Sequence, residues 1–206
     1  MREPVTEIAC IVDRSGSMHS IAEDAVGGFN RFLEEQKALP GRARLTLVLF
    51  DHEYQLLCAG LDLRRVPPLD ERLYRPRGMT ALLDAVGRTL DDLDRRFKVL
   101  PESERPDKVI VAILTDGLEN ASSDYSLKDV ADRISEKGDR DGWDFVYLGA
   151  NQDAFLAASE LSIGAQDTHE FSATTDGVRE AFCCMSTAVG RRRRGGLGAG
   201  RDEKTS

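Results

Sequence analysis

The sequence predicts an α/β fold, a doubly wound sheet of about six strands, mostly parallel with one antiparallel edge strand and helices on both faces. Three observations carry this. Short apolar runs alternate with amphipathic stretches of helical period, which is the pattern of strand–helix–strand crossovers. Val109-Ile-Val-Ala-Ile-Leu114 is an unbroken apolar hexad, as expected of a central parallel strand covered on both sides. Residues 7–12 form a similar run that ends directly in Asp13.

In order, residues 7–12 form the first strand. From Met18 to Leu39, Ile21, Ala25, Val26, Phe29, Phe32 and Leu33 make a helical stripe that Pro40-Gly41 stops. Leu45–Phe50 is a second buried strand, joined by the turn Asp51-His-Glu-Tyr54 to Gln55–Ala59, and the two form an antiparallel hairpin. Between Gly60 and Gly78, three prolines and five arginines mark a connecting segment. A second helix carries Leu82, Leu83, Val86, Leu90, Leu93 and Phe97, with Thr80 as its N-cap. After the hexad, Thr115-Asp116-Gly117 closes the strand. Ser126 and Asp129 form a weak capping box opening a helix to Lys137, Trp143–Leu148 is the next strand, and Ala154–Glu160 is a short helix. His169–Ser172 adds an edge strand, and Val178, Ala181, Phe182, Met185 and Ala188 form the last helical stripe. The domain is expected to span residues 1–190, with a disordered basic, glycine-rich tail over 191–206.

Composition narrows the function. With 36 acidic and 28 basic residues the chain carries a net charge of -8, which disfavours bulk attraction to nucleic acid or anionic lipid. Residues 1–7 show no basic stretch leading into an apolar one, and no run approaches the roughly 18 apolar residues of a membrane span, so a cytoplasmic location is expected. Cys10, Cys58, Cys183 and Cys184 form no CxxC pair and read as reduced thiols.

The chemistry lies in oxygen donors at strand ends. Asp13, Ser15 and Ser17 follow the first strand at alternate positions, and such hard oxygens suit Mg2+ or Mn2+. In a doubly wound sheet ligands sit beyond the carboxyl ends of the strands, where Asp13 and Asp116 both emerge. Thr80 joins them if the proline-rich connection climbs back to that edge.

These motifs, Asp13-x-Ser15-x-Ser17, Thr80 within Gly-Met-Thr-Ala-Leu, and Thr115-Asp116-Gly117, resemble the metal-ion-dependent adhesion site of the von Willebrand factor A domain. The resemblance covers roughly residues 7–150, and Met79 stands where many relatives have a second glycine. It implies that Ser15, Ser17 and Thr80 supply hydroxyl ligands to Mg2+ or Mn2+, with Asp13 and Asp116 acting directly or through water. It also implies a protein-binding module, not an enzyme, in which an Asp or Glu of a partner completes the metal's coordination. Short bacterial members without a signal peptide are commonly cytosolic adaptors, sometimes paired with chaperone-like ATPases, so a partner ATPase is one expectation.

Other chemistries fit less well. A phosphohydrolase that uses Asp13 as nucleophile needs an acid two residues on to protonate the leaving group, and Ser15 stands there. No Gly-x-Ser-x-Gly elbow, GxxxxGK[ST] loop or GxGxxG motif is present. Arg191–Arg194 offers electrostatic contact to nucleic acid without base-reading aromatics. Glu119, Asn120, Asp124, Asn151, Asp153, Asp51, His52 and Glu53 are candidates for the rim of the site, while His19 reads as a helix-start residue.

Overall fold

The structure is a computed structural model that describes residues 3–150 and 153–198. Its strands are β1 (Val5–Asp13), β2 (Arg42–Phe50), β3 (Tyr54–Asp62), β4 (Lys108–Thr115), β5 (Asp144–Ala150) and β6 (Thr168–Phe171). Its α-helices are α1 (Ala22–Ala38), α2 (Leu82–Val99), α3 (Leu127–Asp141), α4 (Ala154–Glu160) and α5 (Thr175–Gly198). The six strands form one sheet in the order β3-β2-β1-β4-β5-β6, in which only β3 runs antiparallel. The predicted architecture is the observed one.

Alternation along β1 divides the core into two layers. Ile8, Cys10 and Val12 face one layer, with Phe29, Phe32 and Leu33 of α1 and Phe182 and Met185 of α5. Ala9 and Ile11 face the other, with Val86, Leu90 and Leu93 of α2 and Val130 and Ile134 of α3. A strand buried on both faces has no polar side to show, which is why β1 and β4 read as continuous apolar runs. Helices α1 and α5 meet at Gly28, where a Cβ would lie 2.3 Å from the Phe182 ring. From β1 the chain goes to β2 on one flank and later to β4 on the other. The crevice between β1 and β4 is therefore the switch point of the sheet, the usual place for a ligand in this architecture.

Four local expectations are corrected. Gly16–Ile21 is a 3-10 segment, not the start of an α-helix, because Met18 N–H turns back to the Ser15 carbonyl at 3.1 Å. Strand β3 extends to Asp62. Thr80 is not an N-cap: α2 starts at Leu82 with Ala81 in the cap position. Helix α5 continues through the arginines that were expected to open a disordered tail. Two of the arginines have partners that hold the helix in place. Arg192 pairs with Asp167, and Arg193 is 4% exposed and donates to the Gln36 carbonyl at 2.6 Å, covering the C-terminus of α1. Residues 199–206 of the expected tail lie outside the described residues.

Candidate metal centre

The site is assembled at the carboxyl ends of β1 and β4. Asp13, the last residue of β1, is fully buried and both its oxygens are held: Oδ1 accepts the Ser15 N–H at 2.6 Å and Oδ2 the Thr115 hydroxyl at 2.6 Å. Its carbonyl accepts the Tyr74 hydroxyl at 2.5 Å. Ser17 Oγ donates to Asp116 Oδ1 at 2.6 Å and lies 3.1 Å from Ser15 Oγ. The other oxygen of Asp116, Oδ2, is buried and has no hydrogen-bond partner among the described residues.

Thr80 reaches this point because the connecting segment is fastened to the β1 exit. Arg77 N–H donates to the Arg14 carbonyl at 3.0 Å, Gly16 N–H to the Gly78 carbonyl at 3.1 Å and Ala81 N–H to the Asp51 carbonyl at 2.9 Å. Gly78 has φ +64° and lies against His52, so a side chain is disfavoured there on both counts. Asn120 clamps the threonine directly: its Oδ1 accepts Thr80 N–H at 2.9 Å, and its N–H donates to the Thr80 carbonyl at 3.0 Å.

Gly117 shows the convergence. A Cβ built on it would sit 3.0 Å from Thr80 Oγ1, 3.5 Å from Ser17 Oγ and 3.9 Å from Ser15 Oγ. Three hydroxyl oxygens from two distant segments thus surround one point on a third, where the chain carries no side chain. The five residues singled out in the sequence, Asp13, Ser15, Ser17, Thr80 and Asp116, are brought together.

Electrostatics explains what this arrangement lacks. Burial, opposed by the hydrogen bonds from Thr115 and Ser15 and reinforced by Asp116, pushes the Asp13 carboxyl up to about 6. Burial also raises Asp116 against the Ser17 hydrogen bond. Arg14, next to Asp13 in the chain, is committed to Asp51, with Nε 3.0 Å from Oδ2. Two buried carboxylates without a cationic partner among the described residues make a site that favours a positive charge. The donor set suits a hard divalent cation, and the orphaned Asp116 Oδ2 is a free acceptor for the ion or its water. Among the described residues there is no cluster of three or more His, Cys, Asp or Glu side chains that could hold a metal, so the set depends on its hydroxyls. A hydroxyl has lone pairs for a metal while still donating its proton, so the Ser17–Asp116 bond is compatible with ligation.

The proposed rim residues are mostly fasteners. Glu119 accepts N–H groups from Leu83 at 2.9 Å and Ser122 at 2.7 Å, capping α2 from another loop. Asp51 holds Arg14 and Arg77, and Asp153 caps α4 through Leu156 N–H at 2.9 Å. Asp124 N–H is held by Asp84 on α2. Asn151 lies outside the described residues. Tyr74 and the Thr115 side chain carry no sequence signal for the roles they play here, because a buried hydroxyl placed by tertiary packing leaves no local pattern.

Searches of protein-family models and of curated proteins returned no match. Solved structures do match. Proximal thread matrix protein 1 from the mussel byssus aligns with 91% of this chain and 46% of its own at a TM-score of 0.61 and 15% identity, in a crystal with a zinc-occupied MIDAS motif. The vWF domain of the type V pili tip protein Mfa5 from Porphyromonas gingivalis aligns over 100% of this chain and 99% of its own, at a TM-score of 0.61 and 16% identity. The pilus adhesin SpaC from Lactobacillus rhamnosus GG aligns over 93% of this chain and 30% of its own, at 0.63 and 15%. The chain spans about half the length of the mussel structures it matches. With its sheet order, two-layer core and strand-end site, the chain has the fold of the von Willebrand factor type A domains.

Proposed function

We propose that the chain is a metal-dependent protein-binding module and not an enzyme. Ser15, Ser17 and Thr80 supply hydroxyl oxygens to one Mg2+ or Mn2+ ion, Asp13 and Asp116 balance its charge directly or through water, and an Asp or Glu of a partner protein takes an open position. The observation that carries this is the convergence of three hydroxyls at Gly117 beside the orphaned Asp116 Oδ2. Mg2+ prefers six oxygens and keeps several waters, so three neutral hydroxyls and two carboxylates leave it electrophilic toward a further carboxylate. The zinc-occupied MIDAS motif of the mussel protein supports metal binding on a related fold.

Ser15 argues against hydrolysis, since it stands where an acid would have to protonate a leaving group. We further propose that the chain acts as a cytosolic adaptor for a partner protein, with a chaperone-like ATPase as one candidate partner. All four cysteines are free, and no helix among the described residues is long and apolar enough to cross a membrane.

The test is thermal unfolding with and without Mg2+. At 100-fold excess over Kd, binding adds about 2.7 kcal/mol, and Asp116→Ala is expected to abolish the shift. Purification from the native cell with and without chelator then identifies the partner. A melting temperature indifferent to millimolar Mg2+ and Mn2+ sinks the proposal.

A further inference from the structure

Exposed apolar side chains flank the candidate metal centre. Of the eight exposed large hydrophobic side chains among the described residues, three, Leu73, Met79 and Leu118, flank the candidate centre, between 45% and 65% accessible. All three lie at the carboxyl edge of the sheet. Met79 directly precedes Thr80, and Leu118 directly follows Gly117. The Leu73 carbonyl accepts from Arg14 just beyond β1. Single exposed hydrophobics are ordinary on a protein surface, but a set gathered around one site marks an interaction surface.

We propose that this collar selects a partner-protein segment in which a single carboxylate is flanked, within two residues, by large apolar side chains. The inference rests on the metal-binding reading above and names the kind of partner it serves. Two arguments commit it to that occupant. The chain's net charge of -8 repels an acid-rich run, so added acids on the partner lower its affinity. Apolar side chains closing over Met79 and Leu118 remove water from around the ion, and a lower local dielectric strengthens its attraction for one carboxylate. Met79 suits this role, because an unbranched thioether side chain adapts its shape to the residue it meets.

The experiment uses the full chain, immobilised in Mg2+, and a displayed peptide library with a fixed Glu between randomised positions, eluted with chelator. Leu, Ile, Met or Phe is expected to be enriched beside the Glu. The selected peptide is expected to bind Met79→Ser/Leu118→Ser about tenfold more weakly, with Mg2+ affinity by calorimetry unchanged. Both positions are exposed, so the variant keeps the core intact. Enrichment of polar or acidic flanks, or unchanged binding by the double variant, overturns this proposal alone. Mg2+-dependent dimerisation in sedimentation also overturns it, because the occupant is then a second copy. Absence of any Mg2+ heat overturns the metal reading and this proposal together.

Discussion

Replacing Asp13 by Asn separates the cost of the site from its use. In the metal-free chain the Asp13 carboxyl is raised from 3.8 to about 6, chiefly by burial. At about 1.4 kcal/mol per unit, keeping it ionised near neutral pH costs about 3 kcal/mol of folding stability. Asn removes that charge but weakens the hydrogen bonds from Ser15 and Thr115, which returns about 1–2 kcal/mol. Asp13→Asn is therefore expected to be more stable than the wild type by about 1–2 kcal/mol without metal, or about 3–6 °C in Tm for a chain of this size. The pH dependence has a definite sign. A raised carboxyl binds its proton more tightly in the folded state, so its contribution is most favourable below about pH 4 and is lost as pH rises through about 6. The advantage of the variant is thus present near neutral pH and gone near pH 4. Saturating Mg2+ reverses the order, because only the wild type gains. Calorimetric or fluorescence melts with and without Mg2+ at both pH values check all of this. A variant less stable than the wild type near neutral pH without metal, or one that keeps its Mg2+ shift, shows that Asp13 is neither a destabilising charge nor part of the ion's site.

Gly117→Ala places a methyl 3.0 Å from Thr80 Oγ1 and is expected to lower Mg2+ affinity at least tenfold in calorimetry while the far-UV spectrum stays unchanged. Asn120→Ala leaves the Thr80 N–H without its acceptor, and chemical denaturation is expected to show a loss of about 1–3 kcal/mol together with weaker metal binding. Arg193→Met removes the donor to the Gln36 carbonyl at the end of α1. A loss of about 1–3 kcal/mol is expected in the same assay, with Mg2+ affinity unaffected, since this contact lies at the opposite edge of the sheet.

The fold was legible because burial on both faces makes the central strands continuous apolar runs, as at Val109–Leu114, and because helix stripes of period near 3.6 separate them. The site residues were legible for a related reason. A carboxylate directly after a buried strand has to emerge at the sheet edge, and Asp13 and Asp116 do so on neighbouring strands. What stayed hidden depends on partners distant in sequence. Thr80 has the composition of an N-cap, yet its carbonyl accepts the Asn120 N–H while Glu119 and Ser122 take the Leu83 and Asp84 N–H groups, so the helix starts at Leu82. The arginines from Arg191 have the composition of a solvated tail, yet Arg193 finds the carbonyl end of α1, 157 residues away in sequence. Glu119 and Asp51 look like rim acids and instead hold the loops that shape the site.

The central claim is that Ser15, Ser17 and Thr80 share one divalent ion beside Asp13 and Asp116. Crystals grown in Mn2+ and measured for anomalous scattering test it most directly. One strong peak is expected at the β1–β4 crevice, about 2.1–2.3 Å from the three hydroxyl oxygens, and it disappears in Asp116→Ala. An anomalous map without a peak there, or with its only peak at another surface, contradicts it.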